Sequence, residues 1–283
     1  TPPLIVGKFP NSNAFTNIAE ISYSVNEDLI QGTVSWIPAD GSQSIDIDLA
    51  PNELSAGTFG IGVLNGQIDL VDGGIYNIDI KGIDKAQNES TASIAKNITF
   101  DLTKPKFTQV LPLASSRINT QTVEWNVDEP LQSGKYTWIH MGGEADPNAP
   151  HEFSLSNDLL KPGKGDNSKL PPLDLVVDAM YRITLEGTDL AGNTGKKFIM
   201  SVVYDNLPPQ LELKYPLSNS AVNHLDISYS LNEQLSIGQI IYSRVGGEPD
   251  PNSPVTLELV GNELETNFDT PQTTSKPPVL NDG

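Results

Sequence analysis

The chain repeats itself at long range. Ser22-Tyr23-Ser24-Val25-Asn26-Glu27 returns as Glu124-Trp125-Asn126-Val127-Asp128-Glu129 and again as Ser228-Tyr229-Ser230-Leu231-Asn232-Glu233. Successive copies lie roughly a hundred residues apart, which matches an autonomous domain and exceeds the unit of about 20 to 50 residues found in solenoids. Other landmarks keep the register. Each copy opens on a proline junction, at Thr1-Pro2-Pro3, Thr103-Lys104-Pro105 and Leu207-Pro208-Pro209. The loop Gly82-Ile83-Asp84-Lys85-Ala86-Gln87-Asn88 returns as Gly187-Thr188-Asp189-Leu190-Ala191-Gly192-Asn193. The expected organisation is three modules in tandem, residues 1–104, 105–207 and 208–283. Each X-Pro pair holds the preceding residue extended, so modules joined with so little spare linker are expected to lie end to end as a rod.

The third module is expected to be incomplete within this sequence. Val279-Leu280-Asn281-Asp282-Gly283 aligns with Leu70-Val71-Asp72-Gly73 of the first copy, which precedes the last two strands, F and G. Those strands would come from continuation of the chain or from another chain by strand donation, or the third module would be disordered.

With 36 acidic and 17 basic residues the net charge is −19, a surface that repels nucleic acid and anionic membranes and attracts cations. Cysteine is absent, which excludes disulfides and thiolate chemistry. No apolar run approaches the roughly 20 residues of a membrane helix.

Alternation with period two predicts strands. In the second copy they are expected at about 106–111, 120–127, 134–140, 151–155, 168–175, 180–188 and 196–204, with a helical turn at 156–160. Seven short strands in a hundred residues predict an all-β fold of tandem immunoglobulin-like sandwiches. Asp72-Gly73-Gly74-Ile75-Tyr76, and Tyr181 after Asp178, carry the pattern of a tyrosine corner. Trp36 and Trp138, with Tyr242 in the third copy, are expected in the core as the strand C aromatic, and Trp125 joins the apolar face through its alternation with Val123 and Val127.

These phrases, together with Gly142-Gly143-Glu144-Ala145-Asp146-Pro147 and Asp205-Asn206-Leu207-Pro208-Pro209, resemble the bacterial Ig-like tandem repeats of large secreted surface proteins and adhesins. The first copy departs from the pattern, with Ile37-Pro38-Ala39-Asp40-Gly41 in place of the Gly-Gly-Glu loop. The resemblance implies an extracellular, non-catalytic stalk or adhesive segment at the cell surface. Its partners would be other domains or copies of the same protein, or a cell-surface or carbohydrate ligand. The alternatives are a filament or surface layer built by strand donation, and a carbohydrate-recognition module.

Acidic residues gather where one module should meet the loops of the next. Asp101 is expected near Asp128, Glu129, Asp189 and Asn193, and Asp205 near Asn232 and Glu233. Clustered carboxylate and amide oxygens are what Ca²⁺ takes, and the arrangement resembles a cadherin linker. Asp and Asn in tight loops equally cap their own backbone in Asx turns, which accounts for the Asp84, Asn88, Asp189 and Asn193 pattern without any ion. His140, His151 and Glu144 bracket one loop, but the third copy places Ser243 and Val255 near the two histidine positions, which favours a polar loop over a metal site. No nucleophile elbow, phosphate-binding loop or HExxH pattern occurs, and no enzyme activity is expected. Asn88 and Asn97 begin glycosylation sequons, and Thr270 to Ser275 is a candidate for O-linked sugar.

Overall fold

The computed structural model describes residues 1–63, 68–222, 226–266 and 272–273. The chain divides into two compact units, Thr1–Asn206 and Leu207–Gly283.

Two β-sandwiches make up the first unit. The first contains β1 (Ile5–Phe9), β2 (Phe15–Thr16), β3 (Glu20–Val25), β4 (Leu29–Pro38), β5 (Ile45–Asp48), β6 (Gly57–Val63), β7 (Ile75–Asp84) and β8 (Glu89–Phe100). One sheet runs β1-β3-β6 and the other β2-β8-β7-β4-β5. The second contains β9 (Phe107–Leu111), β10 (Arg117–Ile118), β11 (Glu124–Val127), β12 (Leu131–Gly143), β13 (His151–Ser154), β14 (Gly163–Asp166), β15 (Ala179–Asp189) and β16 (Thr194–Tyr204). Its sheets repeat the same order, β9-β11-β14 and β10-β16-β15-β12-β13. The chain is all-β, and each sandwich has the immunoglobulin-like arrangement in which the first strand is split between sheets. Its second half pairs in parallel with the last strand: β2 with β8, and β10 with β16.

Alternation sets which residues face the core. Ile21, just before the repeated phrase, and Tyr23 and Val25 within it are buried on β3, as are Trp125 and Val127 of β11. Trp36 and Trp138 are fully buried. Each meets its sandwich's corner tyrosine edge-on, Trp36 against Tyr76 at 6.0 Å and Trp138 against Tyr181 at 5.7 Å between ring centroids. Both tyrosine corners close in the same way: the Val71 N–H donates to the Tyr76 hydroxyl and the Val176 N–H to the Tyr181 hydroxyl, each at 2.9 Å.

One expected strand is displaced. Residues 168–175 form no strand, and β14 at Gly163–Asp166 takes the place beside β11. Pro171 and Pro172 cannot donate to a ladder. The Gln121 side chain instead holds this stretch at Leu173, accepting from its N–H and donating to its carbonyl, both at 2.6 Å. The expected helical turn is a 3-10 turn at Asn157–Leu160.

The second unit has β17 (Leu211–Tyr215), β18 (Ser228–Leu231), β19 (Gln239–Tyr242), β20 (Val255–Glu258) and β21 (Gln272–Thr273). Its sheets are β17-β18-β21 and β19-β20, around a small core of Tyr229, Leu231 and Leu259. Tyr242 is only partly buried, unlike Trp36 and Trp138. The residues aligned with the entry to strand F, 279–283, lie outside the described residues, as does most of the stretch from Thr270 to Ser275.

Candidate functional site

The aspartate loops of the two sandwiches are built alike. Asp189 Oδ1 accepts from the Ala191 and Asn193 N–H groups, both at 2.8 Å, and Oδ2 accepts from Asn193 Nδ2 at 3.0 Å. Asp84 does the same with Ala86 and Asn88, all three bonds at 2.8 Å. Both are Asx turns in which a buried carboxylate satisfies the backbone of a tight loop. The turn needs a left-handed residue, which Gly192 provides at φ 96° and Gln87 at φ 66°.

In the second sandwich the loop also reaches across the joint. Asn193 Nδ2 donates to the Asp101 carbonyl at 2.8 Å, and Asn193 Oδ1 accepts from Asn17 Nδ2 at 3.1 Å. One side chain therefore ties the F–G loop of the second sandwich to the first sandwich and to the linker. Asp101, Glu129 and Asp189 converge there, with one carboxylate oxygen of each lying within 4.8 Å of the others. Burial, followed by the charges of Asp189, Asp101 and Asp128, raises the Glu129 carboxyl to about 7. Three such oxygens are hard ligands of the kind a divalent cation takes, and a proton on Glu129 relieves their mutual repulsion.

The other candidate residues have separate duties. Asp128 Oδ1 accepts from the Lys106 N–H at 2.8 Å, and Asp128 is not one of the three converging carboxylates. Asn26 Oδ1 receives the Leu4 N–H and Asn232 Oδ1 the Gln210 N–H, each at 2.7 Å. The Asn or Asp of the repeated phrase thus pins the chain at the start of each copy, which explains why that position recurs. Asp205 pairs with Arg117 at 2.7 Å, and Arg117 also binds Asp178 at 2.8 Å. Glu233 is half-buried in the second unit.

The histidine loop has a different use. His140 Nε2 bonds the Glu144 carbonyl at 2.9 Å, and His151 Nε2 lies 2.7 Å from Asp146 Oδ2. The same Asp146 oxygen accepts from the Tyr181 hydroxyl at 2.6 Å. Hydrogen bonds from Tyr181, His151 and the Asn148 backbone overcome burial and hold the Asp146 carboxyl below its ordinary range. Asp146 was absent from the sequence-derived candidates. Its one signal was the Asp-Pro-Asn run, an Asx-turn pattern confirmed by the bond from Asn148 N–H to Asp146 Oδ1 at 3.0 Å.

No family model matches this chain. No curated protein matches it either. Among solved structures it is similar to a 1.5-MDa bacterial ice-binding adhesin studied for host cell surface retention, at 12% identity and a TM-score of 0.34, covering 97% of this chain and 95% of that one. A tetra-tandem repeat from the extending region of a large adhesion protein aligns at 14% identity and a TM-score of 0.30, over 98% of this chain and 66% of that one. The chicken CNTN1 FN1-FN3 domains align at 12% identity and a TM-score of 0.29, over 96% and 87%. Similarity this low leaves function to be argued from the chain's own geometry.

Proposed function

We propose that this chain is a non-catalytic spacer segment of an extracellular surface protein, in which repeated sandwiches carry tension from one end to the other. The observation that carries this reading is the parallel pairing, in each sandwich, of the second half of the split first strand with the last strand. β2 lies beside β8, with the Thr99 N–H donating to the Ala14 carbonyl at 3.0 Å and the Asp101 N–H to the Thr16 carbonyl at 2.9 Å. β10 lies beside β16, with bonds from Val203 N–H to the Ser116 carbonyl at 3.0 Å and from Asp205 N–H to the Ile118 carbonyl at 2.8 Å. Pulling the ends of a sandwich apart loads such bonds together in shear, whereas pulling on one strand of a hairpin breaks its bonds in turn. The burial of Trp36, Trp125, Trp138 and Tyr136 further supports a spacer, because these aromatics serve the cores and form no open platform.

The same reading gives the carboxylates at the joint a role. Discharging Asp101, Glu129 and Asp189, by a proton or by Ca²⁺, lets the Asn17–Asn193 tie close the linker between two sandwiches.

Single-molecule stretching of the full chain tests the proposal. Each sandwich of the first unit should rupture as a discrete event that releases roughly 30 nm of chain, the extended length of the residues enclosed by its parallel clamp. Gradual extension at low force, without discrete events, would count against a tension-bearing role.

A further inference from the structure

The parallel clamp is built twice in the first unit, and its backbone bonds match position for position. Phe15 and Thr16 stand opposite Thr99 and Phe100, as Arg117 and Ile118 stand opposite Val203 and Tyr204. Past each pair the chain leaves through an aspartate whose N–H donates back to the clamp, Asp101 to the Thr16 carbonyl at 2.9 Å and Asp205 to the Ile118 carbonyl at 2.8 Å. A left-handed residue bonds the last strand from the other side. The Gly73 N–H donates to the Phe100 carbonyl at 2.7 Å, and the Asp178 N–H to the Tyr204 carbonyl at 2.8 Å.

The side chains at these matching positions differ. In the first sandwich they are Phe15, Gly73 and Asp101, and the Asp101 carboxylate turns to Glu129 and Asp189. In the second they are Arg117, Asp178 and Asp205. One guanidinium nitrogen of Arg117 donates to Asp178 Oδ1 at 2.8 Å and to Asp205 Oδ2 at 2.7 Å. The Asp205 side chain is only 11% exposed, whereas Arg117 and Asp178 are more than half exposed. Exposed ion pairs add little to equilibrium stability. Glycine, as at Gly73, also suits the left-handed backbone better than Asp178 does at φ 59°. Stability alone therefore does not account for a carboxylate at 178, but its place does. Arg117 lies on β10, Asp178 directly before β15 and Asp205 directly after β16, so one guanidinium joins three segments where the linker meets the clamp.

We propose that Arg117 is a positioning residue of the tension clamp, locking the outgoing end of the second sandwich to the second half of its split first strand. The proposal rests on the spacer reading and adds a residue to it. Tension arriving through Asn206 loads the bond from Asp205 N–H to the Ile118 carbonyl first. The charge-assisted bond from Arg117 to the Asp205 carboxylate shares that load, and the arm to Asp178 keeps the guanidinium in place.

Force spectroscopy on the second sandwich within the full chain provides the test, with attachment points near Pro105 and Asn206. Arg117→Gln should lower the end-to-end rupture force, while the force needed to peel β16 from β15 at the Gly192 end, remote from Arg117, should hold. Asp178→Gly removes one arm of the lock and relieves the left-handed aspartate. Its rupture force should fall while its melting temperature stays level or rises, a combination that a merely stabilising ion pair would not give. An end-to-end force that keeps its full value in Arg117→Gln would overturn the proposal and leave the spacer reading standing. So would a fall in Asp178→Gly that its melting temperature matches. Equal end-to-end and peeling forces in the unaltered chain would overturn both.

Discussion

Tyr181 and Tyr76 occupy matching corners yet should respond differently to loss of the hydroxyl. Tyr181→Phe strands both the Val176 N–H and the buried Asp146 carboxylate, and is expected to cost about 2 to 3 kcal/mol, near the upper end for a hydrogen bond to a charged group. Tyr76→Phe strands only the Val71 N–H, and about 1 kcal/mol is expected. Urea unfolding followed by fluorescence of the neighbouring Trp138 and Trp36 would measure both. The corners themselves were legible in the sequence, because the Tyr two or three residues after an Asp or Gly fixes a backbone geometry through a local bond. Asp146 was not legible, since its partners Tyr181 and His151 are brought to it by a loop whose path no periodicity encodes. The recurring Asn or Asp of the repeated phrase was visible as a pattern, but its purpose emerged only with Asn26, Asp128 and Asn232 bonded to the first backbone of their copies.

Among the strands, those with clean alternation were the most readable. β15 falls close to the expected 180–188, because its buried residues keep a period of two over a long run, and β16, which pairs with it antiparallel, falls close to 196–204. The stretch 168–175 was misread because alternation there is interrupted by Pro171 and Pro172, and a side chain, Gln121, does the work of a ladder. Close backbone approach sets a further constraint on β16. A Cβ added at Gly195 would lie 1.9 Å from the Pro105 carbonyl oxygen. Gly195→Ala must therefore push β16 away from the incoming linker, with an expected loss of about 1 to 3 kcal/mol, the range for overpacking. Hydrogen exchange should show the loss concentrated at the β16 amides and the Pro105 segment rather than in the first sandwich.

At the scale of the whole molecule, charge governs the joint of the first unit. The folded state raises the Glu129 carboxyl from 4.5 to about 7, so the native protein holds a proton there that the unfolded chain has already released. This contribution is fully present below about 4.5 and is lost as pH rises through about 7, so the joint is expected to weaken between about pH 4.5 and 7. Glu129→Gln should flatten that dependence, read as the melting temperature of the first unit across the range. Ca²⁺ should raise the melting temperature most at pH 8, where the carboxylates are ionised, and have little effect on Glu129→Gln. The acidic joint was foreseeable from the sequence only as a gathering of loops. Geometry brings the Asp101, Glu129 and Asp189 carboxylates together beside Asn193, and gives Asp128 the Lys106 N–H as a partner.

The central claim is that the parallel pairs β2 with β8 and β10 with β16 let each sandwich resist tension between its ends. The direct measurement compares two pulling directions on the second sandwich within the full chain, one through attachment points near Pro105 and Asn206 and one that peels β16 from β15. The account predicts a clearly higher rupture force end to end than in peeling, and loss of that difference in Ile118→Pro, which breaks the β10 pairing. Equal forces in the two directions for the unaltered chain would contradict it.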